Sequence, residues 1–185
     1  MTSMSPVPRG SKTMTAGFDS ERPLTGGERV LLENTLDLQR AELVKAVDGL
    51  SDAEARQKLV PSLTTPISLL KHCAVAERIW FQRTLAGIGA EDCNGFALTG
   101  GDASFHVTEE ERLVDVIAEF DSACDVSRRM AAKYLLDDTC HHRMFGTVSL
   151  RFIYVFMIGE LARHAGHADI LVEQIKARTG VRAAH

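Results

Sequence analysis

Glu160 and His164 stand four residues apart in a stretch reading SLRFIYVFMIGELARHAGHADILVEQIKA. At helical spacing they lie ~40° apart around the axis and one turn apart along it, so both side chains can reach one ion. The stripe holding them is Ile153, Met157, Glu160, His164, Ala168 and Leu171, apolar at both ends. An ionised carboxylate in such a face is costly to bury unless it is paired or bound to a metal. His167 offers a rival pairing with His164, but it lies ~10 Å along the axis from Glu160. The two should not share an ion, so His167 reads as a support to the site or as an exposed group.

A third donor comes from another segment. His72 interrupts the otherwise apolar stripe Leu69, His72, Ala76, Ile79. Taken singly, each histidine has a plain reading as a core imidazole hydrogen-bonded to a neighbour, with Glu160 as the partner. Taken together, two histidines and one glutamate set into core stripes of different helices favour a shared metal. Two imidazole nitrogens and one carboxylate oxygen form a catalytic zinc set, with a fourth position open for water or substrate. Nickel, iron and manganese accept the same donors. Glu77, near Trp80, reads either as a solvated charge or as a carboxylate orienting an imidazole. Cys140-His141-His142 is a weaker candidate, because consecutive residues do not converge easily on one ion. Cys73 adjoins His72, but neighbouring helical positions point ~100° apart, against direct activation of the thiol. There is no G-x-S-x-G, Gly-rich phosphate loop, dinucleotide fingerprint or H-E-x-x-H.

The elements that must position these residues are helical. Leu32, Leu36, Leu43, Val47 and Leu50 mark a first helix of about six turns. Ser51-Asp-Ala-Glu54 is a capping box opening a short helix that ends near Leu59. Thr65 can cap a third helix with Pro66 at its first position, where the missing N–H costs nothing, running to about Leu85. Residues 87–107 read as a long crossover loop. Thr108-Glu-Glu-Glu111 is a second capping box ahead of a helix ending near Tyr134. Residues 137–147 read as another loop, and Ser149 caps a final helix reaching about Arg178. No period-two run is long enough for a sheet, so the fold class is all-α: a helical bundle of four long helices, one short helix and one long crossover. Residues 1–22 read as a disordered extension, 23–180 as the bundle and 181–185 as a flexible tail.

The composition is that of a soluble domain: 185 residues, 45% hydrophobic and 25% charged. A net charge of −4 and the absence of a basic run argue against nucleic acid or an anionic membrane as partners. No apolar stretch approaches a membrane span, and the N-terminus lacks the apolar core of a secretory signal. The four cysteines have no C-x-x-C spacing and read as reduced thiols. A cytoplasmic protein is expected.

Three segments carry a resemblance: PLTGGERVLLENTLDLQRAELVKAVDGLSDAEAR, LLKHCAVAERIWF and VSLRFIYVFMIGELARHAGHADIL. Together they resemble the DinB-like superfamily, in its actinobacterial branch related to the mycothiol-dependent maleylpyruvate isomerases. The resemblance spans about residues 23–178. It implies a four-helix bundle with up-down-down-up connectivity and one divalent metal ion, held by His72, Glu160 and His164. Many relatives carry a third histidine where this chain has Glu160. A separate C-terminal domain of the isomerase's kind is not expected from these residues. The resemblance implies a metal-dependent enzyme that activates a low-molecular-weight thiol of the mycothiol type for S-transfer or isomerisation. Zinc is the metal expected first. The partners are the small-molecule thiol and an electrophilic substrate, in a chain expected as a homodimer. Arg143 or Arg151, beside the last helix, could anchor an anionic substrate or the polar end of the thiol. The competing functions are a metal-dependent hydrolase with the same ligands and a non-enzymatic metal-binding stress-response protein.

Overall fold

A computed structural model describes residues 23–93 and 101–183; the anticipated N-terminal extension lies outside the described residues. Helix α1 spans Glu28–Ala46, and the short α2 spans Asp52–Ala55. Helix α3 spans Pro66–Glu77 and continues as π-helix over Arg78–Leu85. Helix α4 spans Leu113–Ala131, strands β1 and β2 span Thr139–His142 and Gly146–Ser149, and α5 spans Leu150–Ala183. Two 3-10 turns, Ala90–Asp92 and Gly101–Phe105, lie within the crossover.

Cross-helix contacts give the directions of the helices. Arg29 donates to the carbonyls of Ala131 and Tyr134 while Asp37, farther along α1, accepts from Arg128, so α1 and α4 are antiparallel. Glu28 meets Arg151, Glu33 accepts from the Tyr154 hydroxyl, and Glu54 accepts from Thr179, so the chain through α1 and α2 runs parallel to α5. Lys71 pairs with Glu111 and Arg78 with Glu119, so α3 and α4 are parallel. His72 meets Glu160 whereas Phe81 packs on Tyr154, so α3 and α5 are antiparallel. The order is up-down-down-up. Parallel helices in succession need a return path, and residues 86–112 supply it.

Leu36, Leu43, Leu69, Leu70, Phe81, Phe120, Ile153, Met157 and Leu161 fill the core. Within it lies an ion pair. Arg40 donates through Nε and Nη2 to the two oxygens of Glu77, at 2.9 and 2.7 Å, and through Nη1 to Asp37 at 2.8 Å. Both carboxylate oxygens are thereby satisfied, as burial of the charge requires.

The helix-start signals are realised unevenly. Thr65 and Ser68 form a reciprocal capping box at α3 behind Pro66, and the Ser149 hydroxyl accepts the Phe152 N–H at α5. At α4 the start shifts. Thr108 N–H does donate to Glu111, but Lys71 also holds that carboxylate, and the helix opens only at Leu113. There the Leu113 N–H is capped from a distance by Asp52 of α2, at 2.7 Å. The segment read as a loop over 137–147 contains an antiparallel hairpin pairing Thr139 with Ser149 and His142 with Gly146. Its loop is Arg143-Met144-Phe145, closed by Gly146 at φ +71°, a conformation that favours glycine. Four-residue strands are too short to show a period in sequence. The last helix also continues through Gly180 to Ala183.

Candidate functional site

Helix α3 carries His72 on its second turn, and α5 carries Glu160 and His164 one turn apart. Because these helices pack antiparallel, the three side chains meet. His72 Nε2 lies 3.1 Å and His164 Nε2 lies 3.2 Å from the same oxygen, Glu160 Oε1. One donor atom from each residue lies within 4.8 Å of the others, and among the described residues this is the group so arranged. Corners of a tetrahedron with bonds of ~2.0 Å are separated by ~3.3 Å, close to both separations here.

The hydrogen-bond pattern around His72 decides which nitrogen is free. The Ser104 hydroxyl donates its single proton to the Gly101 carbonyl, at 2.5 Å. It can therefore only accept from the imidazole, so the His72 Nδ1–H donates to Ser104 Oγ, at 2.6 Å. A neutral His72 then presents the Nε2 lone pair to a carboxylate oxygen. Two acceptors at 3.1 Å repel unless a second proton or a cation lies with them. His164 Nδ1 is buried without a hydrogen-bond partner, leaving that ring with a nitrogen to satisfy. The residues present thus fit a divalent cation in donor type and spacing, and His72 fits it in tautomer as well.

With a proton on the facing nitrogens, hydrogen bonds from His164 and then His72 hold the Glu160 carboxyl well below the usual carboxylate range, outweighing its partial burial. Its other oxygen faces Arg163 at 3.5 Å. Phe105 stacks on the His72 ring with centroids 4.1 Å apart and planes 14° apart, fixing the ring from its flat side. Ser104 and Phe105 both come from the crossover. Neither was indicated by sequence, because their short 3-10 turn shows no apolar period.

His72 and Glu160 line a cleft of about 860 Å³. The hairpin loop and Trp80 line it too. His142 stacks on Trp80, with centroids 4.4 Å apart, and its Nδ1 accepts from the Met144 and Phe145 amides. Burial, then Arg143 and His141, push the His142 pKa down, consistent with a neutral accepting nitrogen. The π-helical turns of Arg78–Leu85 carry Trp80, and such turns often mark functional sites.

The other residues singled out by sequence fall in different places. Arg143 lines the cleft. Arg151 does not; it bridges Glu28 of α1 and Asp137, joining α5 to the chain before the hairpin. Glu77 is neither solvated nor placed on an imidazole, because it is fully buried and both its oxygens are taken by Arg40. Its helical position faces the bundle axis, where Arg40 rises from α1. His167 is exposed, its ring centroid 5.5 Å from that of His164. Burial, then His164 and Arg163, lower its pKa. The cysteines are free thiols, and burial followed by the Glu160 and Glu77 charges pushes Cys73 up, away from the reactive thiolate.

A family model described as mycothiol-S-transferase matches residues 31–177. That span contains all three converging side chains, Ser104 and the hairpin. No curated protein matches the chain. No helix among the described residues is long and apolar enough to cross a membrane.

Proposed function

We propose that this chain, which belongs to the mycothiol-S-transferase family within the DinB-like superfamily, is a metal-dependent enzyme joining the sulfur of a low-molecular-weight thiol to an electrophilic carbon. The observation that carries this reading is the meeting of His72, Glu160 and His164 at the wall of a cleft large enough for two small reactants. In the reaction, a sulfur–carbon bond forms and the bond from that carbon to its leaving group breaks. The leaving group departs with the bonding pair, and the thiol proton passes to solvent.

His72, Glu160 and His164 would hold the metal, and their donor set suits zinc. A divalent cation so held supplies the positive charge that lowers the pKa of a nearby thiol. The remaining work falls to the chain. Ser104 keeps the proton of His72 on Nδ1, leaving Nε2 free, and Phe105 prevents that ring from tilting. Arg143 lines the same cleft, and among the described residues no carboxylate pairs with it. It is placed to hold an anionic or strongly polar group of a reactant.

The test is conjugation of mycothiol to 1-chloro-2,4-dinitrobenzene by protein stripped with chelator and then reloaded with zinc. Activity should disappear on stripping, return on reloading and be absent without thiol. His72→Ala should lower it more than a hundredfold, whereas Arg151→Gln should leave it unchanged. Equal turnover by stripped and reloaded protein would overturn the reading.

A further inference from the structure

The part of the cleft lined by the hairpin loop has an unusual composition for a surface hairpin. Met144 and Phe145 are 78% and 50% exposed, yet both line the cleft that His72 and Glu160 also line. Behind them stand Trp80 and Phe156, ring centroids 4.5 Å apart, with Phe145 at 5.7 and 5.8 Å from them. Ile79 extends this apolar surface along α3. The loop is not slack, since the His142 imidazole accepts from two of its amides while stacked on Trp80. Rigid aromatic faces left partly open beside a reaction site are suited to stacking on a planar apolar ligand.

We propose that the hairpin loop, with Trp80 and Phe156, is the acceptor subsite of this cleft and selects ring-bearing electrophiles over small aliphatic ones. The inference rests on the transferase reading and adds to it the chemical class of the second substrate. A polar thiol gains little from an apolar wall, whereas an aromatic acceptor buries its ring there with its electrophilic carbon turned toward the metal-binding residues. The bond changes are those already given: sulfur–carbon formation, loss of the leaving group with its electron pair, and release of the thiol proton.

Trp80 is the chain's one tryptophan, so its emission reports binding without any need for turnover. The unreactive probe is 2,4-dinitroaniline, titrated into metal-loaded wild type, Phe145→Ala, Met144→Ala and Val155→Ala. Val155 is exposed on α5 and does not line the cleft. Quenching should saturate in wild type, weaken about tenfold in Phe145→Ala and be unaffected in Val155→Ala. In parallel, the ratio of kcat/KM for 1-chloro-2,4-dinitrobenzene to that for iodoacetamide should fall about tenfold in Phe145→Ala. Saturable quenching sensitive to Phe145, without thiol transfer to any electrophile, would sustain the subsite and sink the transferase reading. Transfer with quenching that never saturates, or with an unchanged ratio in Phe145→Ala, would overturn the subsite alone. Equal loss toward both electrophiles with a changed elution volume would also overturn it, making the loop a contact between two copies.

Discussion

Ser104 has a single hydroxyl proton and spends it on Gly101, which leaves its oxygen as the acceptor that sets the His72 tautomer. Ser104→Ala should therefore lower metal affinity by about 10- to 100-fold while leaving the helical circular dichroism intact; metal titration checks both parts. At Glu160 two roles can be separated. If the carboxylate only steadied imidazoles, Glu160→Gln would lower stability equally with and without metal. As a ligand it should instead lose metal affinity, and Glu160→His should recover most of it, since imidazole suits the same ions. Titration of the three proteins, with thermal unfolding in stripped and loaded forms, distinguishes the two cases. The convergence of His72, Glu160 and His164 was legible in sequence because each member breaks an apolar helical stripe, and such a break has a period to stand out against. Ser104 and Phe105 break nothing, and only the folded crossover brings them to His72. Glu77 misled for a related reason: sequence shows that a charge lies near a histidine but cannot show that Arg40 will claim it.

Polar ties between helices place different demands on α1, α3 and α4. The Arg40–Glu77 pair joins α1 to α3 inside the core, so Glu77→Gln should cost about 3–5 kcal/mol by leaving a buried guanidinium without its counter-charge. Replacing both partners, Arg40→Met with Glu77→Leu, should recover much of that loss; urea unfolding of the single and double variants measures it. Asp37 joins α1 to α4 nearer the surface. Burial opposes its ionisation, but hydrogen bonds from Arg128 and Arg40 outweigh burial and lower its pKa. A lowered folded pKa means that its stabilising contribution is complete above the ordinary aspartate value of about 4. The contribution is lost as pH falls through the folded value. Asp37→Asn should accordingly flatten the acid limb of stability against pH below about pH 4, in thermal melts taken from pH 2 to 6. Long helices were readable from their apolar spacing and caps. The hairpin was not, because its two strands are shorter than any convincing alternation, and the α4 start was not, because its cap comes from Asp52, far away in the chain.

Across the molecule, His72 on α3 meets Glu160 and His164 on α5, so a bound ion should act on the stability of the whole bundle. At a hundred times its dissociation constant, an ion bound only by the folded chain adds about 2.7 kcal/mol. Zinc should raise the melting temperature of wild type and leave His164→Ala unmoved, as differential scanning calorimetry would show. Helix directions made the crossover unavoidable, and the crossover in turn carries Ser104. His72 and Glu160 are 88 positions apart in the chain. Contacts that distant close a long loop and are expected late on the folding route, after the local helices have formed. An ion that needs both helices and the crossover in place therefore has little to hold in the transition state. Its free energy should appear almost wholly as slower unfolding, with the refolding rate in stopped-flow experiments unchanged by zinc. The site would then act as a latch on the finished bundle, and loss of metal would shorten the lifetime of the native state without making it harder to reach.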